Sequence, residues 1–232
     1  MTFRDRLLAT LRRIAPVLDV DGVLVIGSEV PNLLEKNAAS TLVISQDVDV
    51  GIPVACHAAV KEQLERVSGL TPSPEEPSVW LPGDASCIEV NFVGFDPSSS
   101  DPNLTWVLED GALPLLVFGA LSFLRAGPPI YADGLRVPVP RVAGLLLEKL
   151  VTDRTGEKGD RDLLVCAGLI EVSTPEDLDE LVTTFATLAP DIKHAVRANL
   201  TILSLLPKTA GMPDPEKRRA QIAALVSRME HR

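Results

Sequence analysis

Val23-Leu24-Val25-Ile26-Gly27-Ser28, followed by Asp47-Val48-Asp49-Val50-Gly51-Ile52, decides the reading of this chain. The first run is short, apolar and rich in β-branched residues, which predicts a buried strand ending at Gly27-Ser28. The second alternates. Asp47 and Asp49, two positions apart, share one face of a strand, and Val48, Val50 and Ile52 share the other. Two like charges this close repel, so an acidic couple at a strand end calls for a cation. Hard oxygen donors suit Mg²⁺. On its own an Asp-x-Asp is more often an exposed edge strand, and Gly-Ser occurs in many turns. Strand, Gly-Ser, helix, then strand with Asp-x-Asp is a rarer order. The junction offers backbone N–H groups, a permissive glycine and a serine hydroxyl to a phosphate.

The sequence outward from this pair predicts an α+β chain. Phe3, Leu7, Leu8, Leu11, Ile14 and Leu18 recur at helical spacing, with arginines opposite, predicting one amphipathic helix over 3–18. Pro31 suits the first turn of a helix from Pro31 to about Lys36. Residues 41–44 read as a short strand or an approach to one, and 57–68 as a helix. Residues 71–86 read as a loop or an irregular hairpin. The strand 88–95 places Ile88, Val90 and Phe92 on one face and Glu89, Asn91 and Val93 on the other. Glu89 is therefore a candidate third carboxylate, with Asp84 as a weaker substitute. A half-exposed strand explains its alternation equally well. After a loop at 96–103, short strands are expected at 105–108 and 135–139, with a partly helical apolar run at 112–126 between them. From Pro140 the pattern turns helical: 141–154, 160–169, 175–188, 192–206 and 214–230. The division expected is an α/β domain over 1–138 and a helical domain over 139–232.

Bulk properties narrow the class. The chain has 232 residues, of which 46% are hydrophobic and 23% charged, enough for an ordinary folded core. Its 32 acidic and 22 basic residues leave a net charge of −10, which does not suit broad nucleic-acid binding. Cys56, Cys87 and Cys166 form no disulfide framework and read as buried free thiols. The longest apolar run, 112–124, is about 13 residues against the roughly 20 a spanning helix needs. With no cleavable leader pattern either, the expectation is a cytoplasmic protein without a membrane partner.

Val25-Ile26-Gly27-Ser28 with Gln46-Asp47-Val48-Asp49-Val50 resembles the signature of the polymerase-beta type nucleotidyltransferase superfamily. The stretch Ile130-Tyr131-Ala132-Asp133-Gly134-Leu135-Arg136-Val137-Pro138-Val139-Pro140, then Gly144 to Leu150, Asp153-Arg154 and Lys158 to Leu163, resembles the AbiEii-like abortive-infection nucleotidyltransferases. The resemblance spans about residues 23–168, in four separated blocks. It implies a mixed nucleotidyltransferase-type sheet with flanking helices and a C-terminal helical bundle. It also implies Mg²⁺ held by Asp47 and Asp49, to which the strand position adds Glu89 as the candidate third ligand, and a nucleoside triphosphate held by Gly27 and Ser28. Lys149 would contact its phosphates, and Asp162 would orient Lys149 or the substrate. An NMP would pass to RNA, protein or a small molecule, in a toxin-like role with an antitoxin protein as partner. Two departures stand out: the interval from Ser28 to Asp47 is long, and Ser45-Gln46 stands where arginine or threonine is usual. Lys149 on a helix with Leu145, Leu146 and Leu150 equally fits a snorkelling lysine. Arg154, Lys158 and Arg161 read either as a solvated basic turn or as a phosphate contact. A non-catalytic nucleotide-binding or regulatory module of the same fold is the competing expectation.

Overall fold

The structure, a computed structural model, describes residues 2–34, 47–151, 157–206 and 215–231; the side chains of 32, 157–161 and 215–217 lie outside that description. Strand β2 (Asp47–Pro53) runs parallel to β5 (Glu89–Phe95) at the centre of a mixed sheet. Val48, Val50, Ile52, Val90 and Phe92 are buried, so the alternation in the sequence becomes the inner face of this pair. Strand β1 (Leu24–Ile26) adds antiparallel to β2. The hairpin of β3 (Leu70–Pro72) and β4 (Val79–Pro82) pairs with the start of β5, resolving 71–86 as hairpin rather than loop. The hairpin of β6 (Thr105–Leu108) and β7 (Leu115–Phe118) joins the end of β5 in parallel at Gly94.

Several boundaries differ from the sequence reading. The first helix is broken: α1 (Phe3–Arg13) stops at Ile14, and α2 (Ala15–Leu18) begins anew. Pro16 in the first turn of α2 explains the break, since it has no N–H to continue the α1 ladder. The third helix, α3 (Glu29–Leu34), starts at Glu29, two residues before Pro31. The next, α4 (His57–Leu64), ends earlier than 68. The run at 112–126 opens as strand β7, and its helical part is one short 3₁₀ stretch, Gly119–Phe123. A strand unforeseen in the sequence, β8 (Ile130–Ala132), pairs with β9 (Leu135–Val137). Asp133 and Gly134 both have positive φ at this turn, the mirror-type hairpin geometry that Asp-Gly favours.

The remaining helices are α5 (Val142–Val151), α6 (Glu157–Val172), α7 (Pro175–Ala186), α8 (Pro190–Leu205) and α9 (Pro215–Glu230). Helix α5 packs against α6, α7 and α8, and α9 against α7 and α8. Thr174 and Asp177 cap α7 reciprocally, with Pro175 in its first turn. Val25 N–H donates to Pro138 O at 2.8 Å, so the segment at the expected 138/139 boundary is hydrogen-bonded to β1. One continuous cluster of buried side chains runs from Leu7 to Met229. Cys87 and Cys166 are buried free thiols, whereas Cys56 is only half-buried. No helix among the described residues is long and apolar enough to cross a membrane. The strand expected at 41–44, Ser45-Gln46, Asp153 and Arg154 lie outside the described residues, as do the side chains of Lys158 and Arg161.

Candidate functional site

Parallel register sets Asp47 beside Glu89 and Asp49 beside Asn91. All four are on the face opposite Val48 and Val50, because side chains alternate along both strands. The Asn91 amide ties the aspartates together: Nδ2 donates to Asp47 Oδ2 at 2.7 Å and lies 3.4 Å from Asp49 Oδ1. Two oxygens sharing one nitrogen at these distances sit within about 6 Å, the range where carboxylates couple strongly.

The end of β1 closes over this pair. Gly27 has φ +90°, and a Cβ there would lie 2.6 Å from Asp49 Oδ2 and 3.0 Å from Glu29 Oε2. Only glycine permits both the conformation and the approach. Glu29, which the sequence reading passed over, is the first residue of α3 and is 1% exposed. Its Oε1 accepts from Ser28 Oγ at 2.7 Å, and among the described residues its buried Oε2 has no hydrogen-bond partner. The Ser28 hydroxyl is thus engaged by Glu29, and an acid occupies the helix start that the sequence reading offered to a phosphate.

Electrostatics follow from this crowding. Burial, then the charge of Asp49, pushes the Glu29 carboxyl up to about 8. Burial and Asp47 push Asp49 up to about 6, against the pull of Lys149 and the Asn91 hydrogen bond. Glu89 is raised by its burial and by Asp47 and Glu76, but it is only half-buried. Asp84 lies elsewhere: it bonds Ser86 and pairs with Arg13 at 3.2 Å.

The helical half contributes a cation. On α5 every residue but Lys149 is buried, including Glu148. Lys149 Nζ sits 3.1 Å from Glu148 Oε2 and 3.5 Å from Asp162 Oδ1 on α6, with its side chain 10% exposed. It does not snorkel to water; it is held between two acids, and its charge reaches Asp49. The fold therefore gathers Gly27, Ser28, Asp47, Asp49, Glu89, Lys149 and Asp162 around one end of the central strands. It adds Glu29, Asn91 and Glu148. The signals for these were slight: Glu29 directly follows Gly27-Ser28, Asn91 continues the Glu89 alternation, and Glu148 adjoins Lys149.

A divalent cation fits the donor set in one respect, because the buried Glu29 Oε2 has no hydrogen-bond partner among the described residues and flanks the same space as Asp49 Oδ2. Among the described residues, however, no three acidic, histidine or cysteine side chains already stand as a closed ligand group. No protein-family model and no curated protein matches the chain.

Proposed function

We propose that this chain is a Mg²⁺-dependent nucleotidyltransferase that moves an NMP from a nucleoside triphosphate to an acceptor hydroxyl and releases pyrophosphate. The finer architecture of this reading is a nucleotidyltransferase-type sheet followed by a C-terminal helical bundle. The observation that carries it is the Asp47–Asp49 pair, tied by Asn91 and roofed by Gly27, with Lys149 acting on Asp49 from α5.

Mg²⁺ bound by the carboxylates would neutralise phosphate charge and acidify the acceptor hydroxyl. Asp47 and Asp49 are the residues to hold it, with Glu89, which strand alternation places beside Asp47, as the candidate third ligand. Lys149 supplies a fixed positive charge for the triphosphate, and Asp162 and Glu148 keep its ammonium in place. Asn91 spaces the two aspartates. Gly27 gives substrate and carboxylate the room that a side chain would fill.

The test is incubation with Mg²⁺ and radiolabelled nucleoside triphosphates in lysate. Wild-type protein is expected to label an acceptor, and Asp49→Ala to lose about 10²–10³-fold in rate, the scale of removing one electrostatic stabiliser. Wild type that neither binds a nucleoside triphosphate nor labels any acceptor defeats the proposal. That no three acidic, histidine or cysteine side chains among the described residues are already grouped to hold a metal ion supports a second reading, a nucleotide-binding or regulatory module without chemistry. It would show nucleotide binding with no transfer.

A further inference from the structure

We infer that Glu29 is the third carboxylate of a divalent-cation site with Asp47 and Asp49, in the position that strand alternation assigns to Glu89; this rests on, and deepens, the nucleotidyltransferase reading. A buried carboxylate with one idle oxygen facing another carboxylate is costly unless it takes up a proton or a cation enters between them, and a cation can replace that proton. Glu29 meets that description: it is 1% exposed, and among the described residues its Oε2 has no hydrogen-bond partner.

Its aim is toward the pair. Glu29 Oε2 and Asp49 Oδ2 flank the same small space above the Gly27 Cα, the space a Cβ would fill. The other oxygen, Oε1, is held by the Ser28 hydroxyl, which fixes the carboxylate's orientation. Ser28 on this account positions a ligand and does not itself bind phosphate. Glu89 lacks these features. It is half-buried beside Asp47, and Glu76 bears on its other side. The donor set of three carboxylate groups with an amide beside them is oxygen-rich and hard, which selects Mg²⁺ or Mn²⁺ over softer ions.

The experiment titrates Mn²⁺ into the metal-stripped full chain, by calorimetry and by electron paramagnetic resonance, for wild type, Glu29→Gln and Glu89→Gln. Glu29→Gln is expected to weaken Mn²⁺ binding by about tenfold or more, and Glu89→Gln by less than about threefold. Thermal melts with and without Mn²⁺ separate ligation from folding. A ligand role removes the Mn²⁺-induced rise in Tm for Glu29→Gln, whereas a purely structural role shifts the metal-free Tm and leaves that rise intact. Wild type that binds no Mn²⁺, or Glu29→Gln with wild-type affinity, overturns the inference; in the second case Glu29 is simply a buried neutral acid. Glu29-dependent Mn²⁺ binding without nucleotidyl transfer keeps the inference and defeats the nucleotidyltransferase reading. Transfer that survives with unchanged Mn²⁺ affinity in Glu29→Gln does the reverse.

Discussion

Asp110, half-buried at the surface, and Glu29, buried just past the end of β1, are both acids, and they are held in opposite ways. Asp110 accepts from Lys61 Nζ at 2.6 Å and from the backbone N–H groups of Ala112 and Leu113 at 2.8 and 2.9 Å. Its pKa is driven well below the usual carboxylate range by these bonds. Glu29 accepts from the Ser28 hydroxyl, has an oxygen without a hydrogen-bond partner among the described residues and has Asp49 for a neighbour, and its pKa rises. Charge that stabilises a fold is satisfied on every side. Among the described residues the Gly27–Asp49 corner is short of donors, and under the reading proposed above that shortfall, more than the presence of acids, marks it as a binding place.

The comparison breaks most visibly at Lys149. Lys149→Met leaves Glu148 and Asp162 without this buried cation and is expected to cost about 3–5 kcal/mol in urea denaturation. A cost under about 1 kcal/mol would mean that the acids are protonated or otherwise compensated.

Acid titration separates the two corners by sign. Glu29 and Asp49 have folded pKa values near 8 and 6, above their ordinary 4.5 and 3.8. Between about pH 4 and 8 the unfolded chain gives up these protons while the folded chain keeps them, so this corner loses stability as pH rises. The metal-free Tm is therefore expected to fall from pH 5 to 8.5, by an amount reflecting on the order of a few kcal/mol. Glu29→Gln should flatten much of that slope, and a slope equal to wild type refutes the assignment. Asp110 works the other way. Its contribution is present at neutral pH and is lost as pH drops below the ordinary carboxylate range.

Gly27→Ala sharpens the steric half of the argument. Positive φ and the contact with Asp49 Oδ2 are expected to cost about 1–3 kcal/mol, measured by thermal or chemical melts. Gly134→Ala tests strain alone, because it has positive φ and open space, so its cost should be the smaller of the two. The smallest effect is expected at Asp110→Asn, a modest lowering of Tm at pH 7 that shrinks in strong acid. An Asp110→Asn variant more stable than wild type would reverse the contrast with Glu29.

Much of the scaffold was legible from pattern. Val48, Val50, Val90 and Phe92 announce two buried strands by alternation, and Thr174 with Asp177 announces a helix start. These signals survive because each depends on neighbours in the chain. The misreadings came where distant partners intervene. Leu115–Phe118 is apolar enough for helix or strand, and pairing with Trp106 and Gly94 makes it a strand. Ile130–Ala132 is a strand only because Leu135–Val137 folds back on it.

The same division runs through the candidate site. That Asp47 and Asp49 share a face follows from the two-residue period of a strand, and that Gly27 ends one follows from its missing side chain; both could be read without coordinates. Which acid joins them could not. Alternation along the chain points to Glu89 and passes over Glu29, and only the β1–β2 pairing, with Ile26 opposite Asp49, shows Glu29 in the buried corner while Glu89 is half in solvent. Lys149 likewise reaches Asp49 across a hundred residues because α5 is buried along almost its whole length, and a helix buried in that way leaves its lysine nowhere to go but toward acids.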